Sequence, residues 1–331
     1  MRVADKITDL IGSTPMLRLL LKIPQCEAYL KLEQFNPGAN VKDRAALNMI
    51  LEAEQKGFLR PGGTILESSS GNTGLSLAMV GAARGYRVII VVDNHVQLEK
   101  MAIMRAFGAT VEHVGKELPP EQQAGCQRDE RIKELLATIP GAFYANQGDN
   151  LDNRAVHYRT TAEEILRSVG SVDVLFAAIG TGGTISGTAR RLKEVNPNTI
   201  VIGVEPLGSV FFGDEYKPFY ITGAGSTREI WKNIDFPLID QHFQVSDKQA
   251  FNTSRFLAKN LGLLTGGTGG MLVYKLIEFA LGSGISGKMV AILPDGGEQY
   301  MSSIYDDAWM NRYSLIDDSV ASFLQTNIDH C

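Results

Sequence analysis

The 331-residue sequence predicts an α/β fold with mainly parallel sheets. Three observations predict it. Short apolar and β-branched runs alternate with helical patterns almost from end to end, the order that sets strands side by side with helices crossing between them. The run 87–92, Arg-Val-Ile-Ile-Val-Val, is continuous rather than alternating, as a strand covered on both faces requires. Several strand ends pass into loops of glycine and hydroxyl residues that open a helix, the place where ligands bind in open α/β sheets.

Residues 7–11 read as a short helix, with Gly12-Ser13-Thr14-Pro15 as the turn after it. Segments 16–19 and 28–33 read as strands. In Asn36-Pro37-Gly38-Ala39-Asn40 the Pro-Gly pair ends the second strand, and Asn40 caps a helix reaching about Lys56. Strand 64–67 runs through Ser68-Ser69-Ser70-Gly71-Asn72-Thr73-Gly74 into an apolar helix ending at Gly85. After strand 87–92, a helix over 98–107 stops at Gly108, and 110–114 is a strand. The charged, amphipathic stretch 122–138 is a helix, 142–145 a strand and 154–169 a helix. Strand 172–179 ends in Gly180-Thr181-Gly182-Gly183-Thr184, helix 185–195 follows, and 199–204 is the next strand. The stretch 208–235 mixes aromatics, glycine and charge without a period, and is long for a plain connection, so it reads as a functional loop region. A helix over 247–260 precedes Thr265-Gly266-Gly267-Thr268-Gly269-Gly270, which opens another to about Leu281. Strand 288–293 leaves through Pro294-Asp295-Gly296-Gly297 toward a final helix, and the tail beyond Trp309 reads as polar and mixed. No linker is evident, so two domains have to be interleaved.

Composition excludes several classes. A hydrophobic content of 44% with 21% charged residues is that of a globular protein. The net charge of −5, without a Lys/Arg-rich run, argues against a nucleic-acid face. The longest apolar runs, such as 88–92, are too short to span a bilayer, and the first six residues lack the apolar core of a signal peptide. Cys26, Cys126 and Cys331 are scattered and odd in number, which implies no disulfide framework and fits a reducing cytoplasm. Neither Cys-x-x-Cys nor His-x-x-x-His occurs, so no metal site is expected.

The chemistry concentrates in the loops. Lys42 falls in the first turn of its helix, where the dipole disfavours a cation. Either it is a solvated lysine beside Asp43 and Arg44, or its amine is held neutral for a Schiff base. The glycines of Gly180 to Thr184 let backbone N–H groups converge at a helix start, a phosphate cradle to which Thr181 and Thr184 add hydroxyls. The Gly-Lys-Ser/Thr of a nucleoside-triphosphate loop is missing. A dinucleotide site stays open, with Glu205 as its ribose-binding acid, although Ile185 stands where the third glycine belongs. The Ser68 to Gly74 loop suits a carboxylate, and Asn72 adds an amide with both donors and acceptor. The other readings are plain turns and helix caps: a Ser-rich cap, Thr268 as an N-cap, and a turn at 294–297.

Taken together, Asn36-Pro37…Val41-Lys42-Asp43-Arg44, Ser70-Gly71-Asn72-Thr73-Gly74 and Gly180-Thr181-Gly182-Gly183-Thr184 resemble the pyridoxal-phosphate enzymes of the cysteine synthase family, of fold type II (tryptophan-synthase-β-like). The resemblance runs from Ile11-Gly12-Ser13-Thr14-Pro15 to Asp307-Ala308-Trp309. It implies pyridoxal 5′-phosphate as cofactor, with Lys42 as the catalytic Schiff-base lysine. It further implies Asn72 at the cofactor's 3′-oxygen, Gly180, Thr181, Gly182, Gly183 and Thr184 around its phosphate, and Thr268 facing the pyridine nitrogen, where serine is usual. Ser69, Ser70, Asn72, Thr73 and Gln147 would take the substrate carboxylate. A neutral hydroxyl at the ring nitrogen leaves the ring poorly protonated and favours loss of a β-leaving group over transamination.

The implied organisation is a smaller α/β domain over 35–145 and a larger cofactor-binding domain made of 1–34 and 146–331, in a cytoplasmic homodimer acting on small amino-acid substrates. The implied reaction is β-replacement on an O-activated L-serine through an aminoacrylate. Gly208-Ser209-Val210-Phe211-Phe212-Gly213-Asp214 and Tyr305-Asp306-Asp307-Ala308-Trp309 are most similar to the branch of N-(2-amino-2-carboxyethyl)-L-glutamate synthase, which makes 2,3-diaminopropionate precursors of siderophores. That branch joins O-phospho-L-serine to the amine of L-glutamate, and Arg128, Arg131 and Arg228 are cations that could meet such anions, or surface arginines in water. Gly148 and Gly180 instead match ordinary cysteine synthases, which use O-acetylserine or O-phosphoserine with sulfide.

Overall fold

The computed structural model describes residues 3–117, 125–226 and 231–329. Gln122, at the start of an expected helix, and Arg228 lie outside the described residues. In chain order the elements begin with β1 Met16–Leu19, β2 Cys26–Leu32, α1 Lys42–Gln55, β3 Thr64–Ser68, α2 Asn72–Arg84, β4 Arg87–Val92, α3 Leu98–Ala106, β5 Thr110–His113, α4 Gly125–Thr138 and β6 Phe143–Tyr144. They continue with α5 Asp152–Val156, a π-turn His157–Thr161, α6 Ala162–Val169, β7 Val174–Ala178, α7 Gly183–Val195, β8 Ile200–Pro206, β9 Gln241–Val245, α8 Asp247–Leu261, α9 Gly267–Gly282, β10 Gly287–Leu293, α10 Asp307–Arg312 and α11 Asp318–Asn327. None of the described helices is long and apolar enough to cross a membrane.

The chain divides into two compact units: Met1–Ile11 with Asn36–Asn153, and Gly12–Phe35 with Arg154–Cys331. The first unit holds a parallel four-stranded sheet in the order β5-β4-β3-β6. Ala45, Met49 and Ile50 of α1 and Leu77 and Val80 of α2 pack with Ile65, Val88 and Ile90 of the sheet. Leu66 and Val91 cluster instead with Ile132 and Leu135 of α4. Strand β4 is thus covered on both faces, which is why its sequence does not alternate. Each such fully buried aliphatic side chain is worth roughly 1.5–3 kcal/mol.

The second unit holds six strands in the order β1-β2-β10-β7-β8-β9, parallel except for the antiparallel pair of β1 and β2. Three features here differ from the sequence expectation. Strand β9, Gln-His-Phe-Gln-Val, pairs only with β8 at the sheet edge, and its polar composition hides it. The helix expected over 154–169 contains the π-turn, against which α7 lies close: a Cβ on Gly187 would fall 2.2 Å from the Arg154 carbonyl oxygen and 2.9 Å from Cβ of His157. The tail beyond Trp309, read only as polar and mixed, carries α11, which buries Val320 and Leu324 and is capped by Asp317 accepting from the Ser319 N–H.

Both sheets reverse direction beside a loop singled out by its composition. In the first, β3 and β6 are neighbours while β4 and β5 continue the other way. In the second, β7 has β10 on one side and β8 on the other. Such reversals leave a crevice at the strands' carboxyl ends. The loop leaving β3 and the start of α2 carry Ser69 to Thr73, the loop leaving β6 carries Gln147, the loop leaving β7 and the start of α7 carry Gly180 to Thr184, and the loop leaving β10 carries Asp295 to Gly297.

Candidate active site

In the first unit, Lys42 is the first residue of α1. Asn40 does not itself hold the N-cap position, which Val41 takes, but its Oδ1 accepts the Lys42 N–H at 2.8 Å. The turn before the helix is stiff. Asp43, fully buried, accepts the Gly38 N–H at 2.6 Å and the Ser76 hydroxyl at 2.5 Å, and Asn40 donates to the Gly38 carbonyl at 2.7 Å. A Cβ on Gly38 would lie 2.4 Å from Asp43 Oδ1, so only glycine fits. Asp43 supplies the negative charge that a helix start favours. The Lys42 amine has the opposite sign for that place, and burial pushes it down to about 8. An amine titrating there keeps an appreciable neutral, nucleophilic fraction near neutral pH.

The loop between β3 and α2 is tied at several points. Ser69 Oγ accepts the N–H groups of Gly71 and Gly74, both at 3.3 Å. Ser70 donates its hydroxyl to Asp93 Oδ1 at 2.7 Å. Thr73 donates to Gln147 Oε1, which fixes the amide by its oxygen end. Behind them Glu67, 1% exposed, accepts the N–H of Ser68 at 3.0 Å and of Gln147 at 3.3 Å. Burial pushes its carboxyl up to about 8 against the lowering effect of those bonds. Ser69, Ser70, Asn72, Thr73 and Gln147 therefore gather at one end of one sheet, and Ser76 of α2 joins them to the Lys42 turn through Asn40 and Asp43.

In the second unit, Gly180 to Thr184 link β7 to α7, with Gly182 in the left-handed region at φ +87°. A Cβ on Gly180 would lie 2.6 Å from the Gly223 carbonyl oxygen, and one on Gly182 would strike Ile234 at 2.3 Å. Thr184 Oγ1 lies 3.3 Å from Nε2 of His157, whose Nδ1 lies 2.9 Å from Thr161 Oγ1. Thr268 does not cap its helix, the N-cap position being Gly266; its hydroxyl donates to the Thr222 carbonyl at 2.9 Å. The strap 222–225 thus touches the glycine loop and Thr268 alike, and the Gly225 N–H closes it onto the Ile179 carbonyl at 2.7 Å. Tyr300 donates to Asp295 Oδ2 at 2.7 Å and stands 3.3 Å from the Thr222 hydroxyl. Burial, then the Asp295 charge, pushes the Tyr300 phenol well up. Glu205 is not a ribose acid here: it is buried, accepts from Ser209 and lies 3.4 Å from the Gln244 amide.

These residues fit pyridoxal phosphate. The glycine loop is packed too closely against Gly223 and Ile234 to carry side chains, so it presents main chain, and N–H groups at the start of the 13-residue α7 favour an anion. The lowered amine of Lys42 suits an aldehyde. The sequence reading missed Glu67, Asp93 and the His157–Thr184 pair. Glu67 and Asp93 were signalled by their place, acids next to the carboxyl ends of apolar strands.

Comparison with known proteins bears on the family. The family model described as pyridoxal-phosphate dependent enzyme matches residues 7–295. A putative cysteine synthase of Sinorhizobium fredii (strain NBRC 101917 / NGR234) is 39% identical over 320 residues, 96% of this chain and 95% of that protein. A probable cysteine synthase of Bacillus subtilis (strain 168) is 38% identical over 316 residues, 93% of this chain and 99% of that protein. The crystal structure of O-ureido-L-serine synthase superposes with a TM-score of 0.84 at 34% identity, covering 94% of this chain and all of the other, 100%. The chain therefore belongs to the pyridoxal-phosphate dependent enzymes of fold type II, in their cysteine synthase-like group.

Proposed function

We propose that the protein catalyses β-replacement on an O-activated L-serine. The observation that carries this reading is Lys42, an amine pushed down to about 8 by burial at the start of α1. Pyridoxal phosphate, when bound, supplies an aldehyde for that amine and an electron sink for the bond broken at the substrate's α-carbon. Lys42 would hold its aldehyde end, Asn72 its 3′-oxygen, Gly180 to Thr184 its phosphate, and Thr268 its ring nitrogen. The amide of Gln147, held by the Thr73 hydroxyl, and the N–H groups around Ser69 and Ser70 would orient the substrate carboxylate. Lys42 Nζ would take the substrate's α-proton as the β-substituent leaves and return it to the α-carbon once the nucleophile has added to the β-carbon.

O-phospho-L-serine and the amine of L-glutamate are the substrates this reading puts first, giving N-(2-amino-2-carboxyethyl)-L-glutamate and phosphate in a 2,3-diaminopropionate route. The support is the likeness of residues 208–214 and 305–309 to that branch. Sulfide as nucleophile, giving L-cysteine, is the second reading, and one observation favours it. Two arginines that could meet a phosphate or a dicarboxylate are already engaged: Arg128 with Asp93 at 3.4 Å, and Arg131 with Glu112 at 2.6 Å and Glu134 at 2.8 Å. The relatives' names, both cysteine synthases, support it too. Purified protein loaded with cofactor is to be incubated with O-phospho-L-serine or O-acetyl-L-serine, each with glutamate or sulfide, and the products weighed by mass spectrometry. A glutamate adduct is the expected product; cysteine alone selects the second reading, and no product from either ester overturns both.

A further inference from the structure

Ser70, in the 68–74 loop, reaches with its side chain to a buried carboxylate outside the loop. Its hydroxyl donates to Asp93 Oδ1 at 2.7 Å, and the Asp93 N–H returns a bond to Ser70 Oγ at 3.0 Å. One hydroxyl bonded to both the side chain and the main chain of the same residue is fixed in position and torsion. Asp93, 1% exposed, follows β4 directly and so is held by the sheet. Its Oδ1 also accepts the His95 N–H at 3.2 Å, and its Oδ2 faces Arg128 Nε at 3.4 Å. Burial alone would raise this carboxyl; the bonds from His95 and Ser70 and the Arg128 guanidinium win, and hold it well below the usual carboxylate range. It stays an acceptor at every physiological pH. With its proton committed to Asp93, the Ser70 hydroxyl has only lone pairs to show to anything else, and a carboxylate would be repelled by them.

We propose that Asp93, with Arg128 as its counter-ion, is a positioning residue: it anchors the 68–74 loop through the Ser70 hydroxyl, so that Ser70 serves an incoming carboxylate by its main-chain N–H alone. The nature of that anion rests on the proposed reaction; the anchor itself does not.

Two measurements test this. Amide hydrogen exchange over 68–74 is followed in protein free of cofactor and substrate, for wild type, Ser70→Ala, Asp93→Ala, the double variant and Ser70→Thr. Losing a bond to a charged group should speed exchange of this loop roughly tenfold or more in each alanine variant. The double variant should be no faster than Asp93→Ala alone, because that change already removes the bond Ser70 makes. Ser70→Thr, which keeps the hydroxyl, should restore the wild-type rate. In loaded enzyme the same alanine variants should raise KM for the serine ester about tenfold and leave kcat within about threefold. Wild-type exchange in Ser70→Ala, or effects of the two alanines that multiply in the double variant, overturns the anchor. Because Ser70→Ala leaves Asp93 and Arg128 paired, it tests the idea even if Asp93→Ala does not fold. A loop that loosens as expected in a protein that consumes no serine ester would leave the anchor standing and remove the proposed reaction.

Discussion

The hydroxyl of Thr73 donates to the side-chain oxygen of Gln147, joining the first turn of α2 to the loop that leaves β6. An amide has two chemically opposite ends, and this bond decides which one each side meets. The main chain of Gln147 is fixed as well, its carbonyl accepting from Asn153 at 2.7 Å. Thr73→Val keeps the shape and removes the donor. The amide then loses its orientation, and KM for the serine ester should rise about tenfold while the cofactor spectrum is unchanged. Initial rates across substrate concentration check it, and Thr73→Ser should recover most of the loss.

Lys42 sets function against stability. Its folded-state pKa, about 8, lies below the ordinary 10.5, so between those values the unfolded chain binds more protons than the folded one. Stability of the cofactor-free protein should therefore rise with pH through that window. Lys42→Met removes the penalty of burying a charged amine, flattens that rise, and should be more stable at pH 7 by about 2 kcal/mol. The same variant should lose at least about a thousandfold in turnover. Denaturant unfolding at several pH values, beside a product assay, reads both effects.

Glu67 carries the opposite sign. Its carboxyl is pushed up to about 8 from an ordinary 4.5, so in that window the folded protein keeps a proton that the unfolded chain has lost. Its contribution to stability is complete at the acid end and is lost as pH climbs to 8. Glu67→Gln should flatten this part of the stability curve, measured by urea unfolding between pH 5 and pH 8. An unchanged slope would place the titration on another group.

Gly182 has no alternative. At φ +87°, with Ile234 within 2.3 Å of a would-be Cβ, Gly182→Ala meets both backbone strain and a clash. Cofactor affinity, titrated by visible absorbance, should fall at least about tenfold, and unfolding should cost roughly 1–3 kcal/mol less. Gly85, also left-handed but with nothing near its Cβ position, is the contrasting site, where only the backbone term applies.

The parallel order of both sheets was legible because burial on two faces writes continuous apolar strands such as β4. Strand β9 was not, because an edge strand is half wet and Gln241, His242 and Gln244 look like loop. The tail helix α11 was hidden by its length: Val320, Ala321, Phe323 and Leu324 cover little more than one turn, too short to show a period. The loops of the candidate site announce themselves locally, by glycine and hydroxyl spacing. What fixes them does not, since Asp93 stands 23 residues from Ser70 and Gln147 stands 74 from Thr73. A sequence shows which backbone can bend, and says little about which distant carboxylate or amide stops it bending.

The missing side chain at Gly187 turns α7 into a rigid lever. The residue sits one turn past Gly183, seated in a notch formed by the Arg154 carbonyl, the His157 Cβ and the Tyr158 N–H. A methyl group there could not be absorbed locally, because the obstacle at 2.2 Å is main chain. The whole rod would have to pivot, and its leading end is the glycine loop. A change of one carbon, made well away from any anion, would thus be felt as a tilt of the N–H groups that receive it.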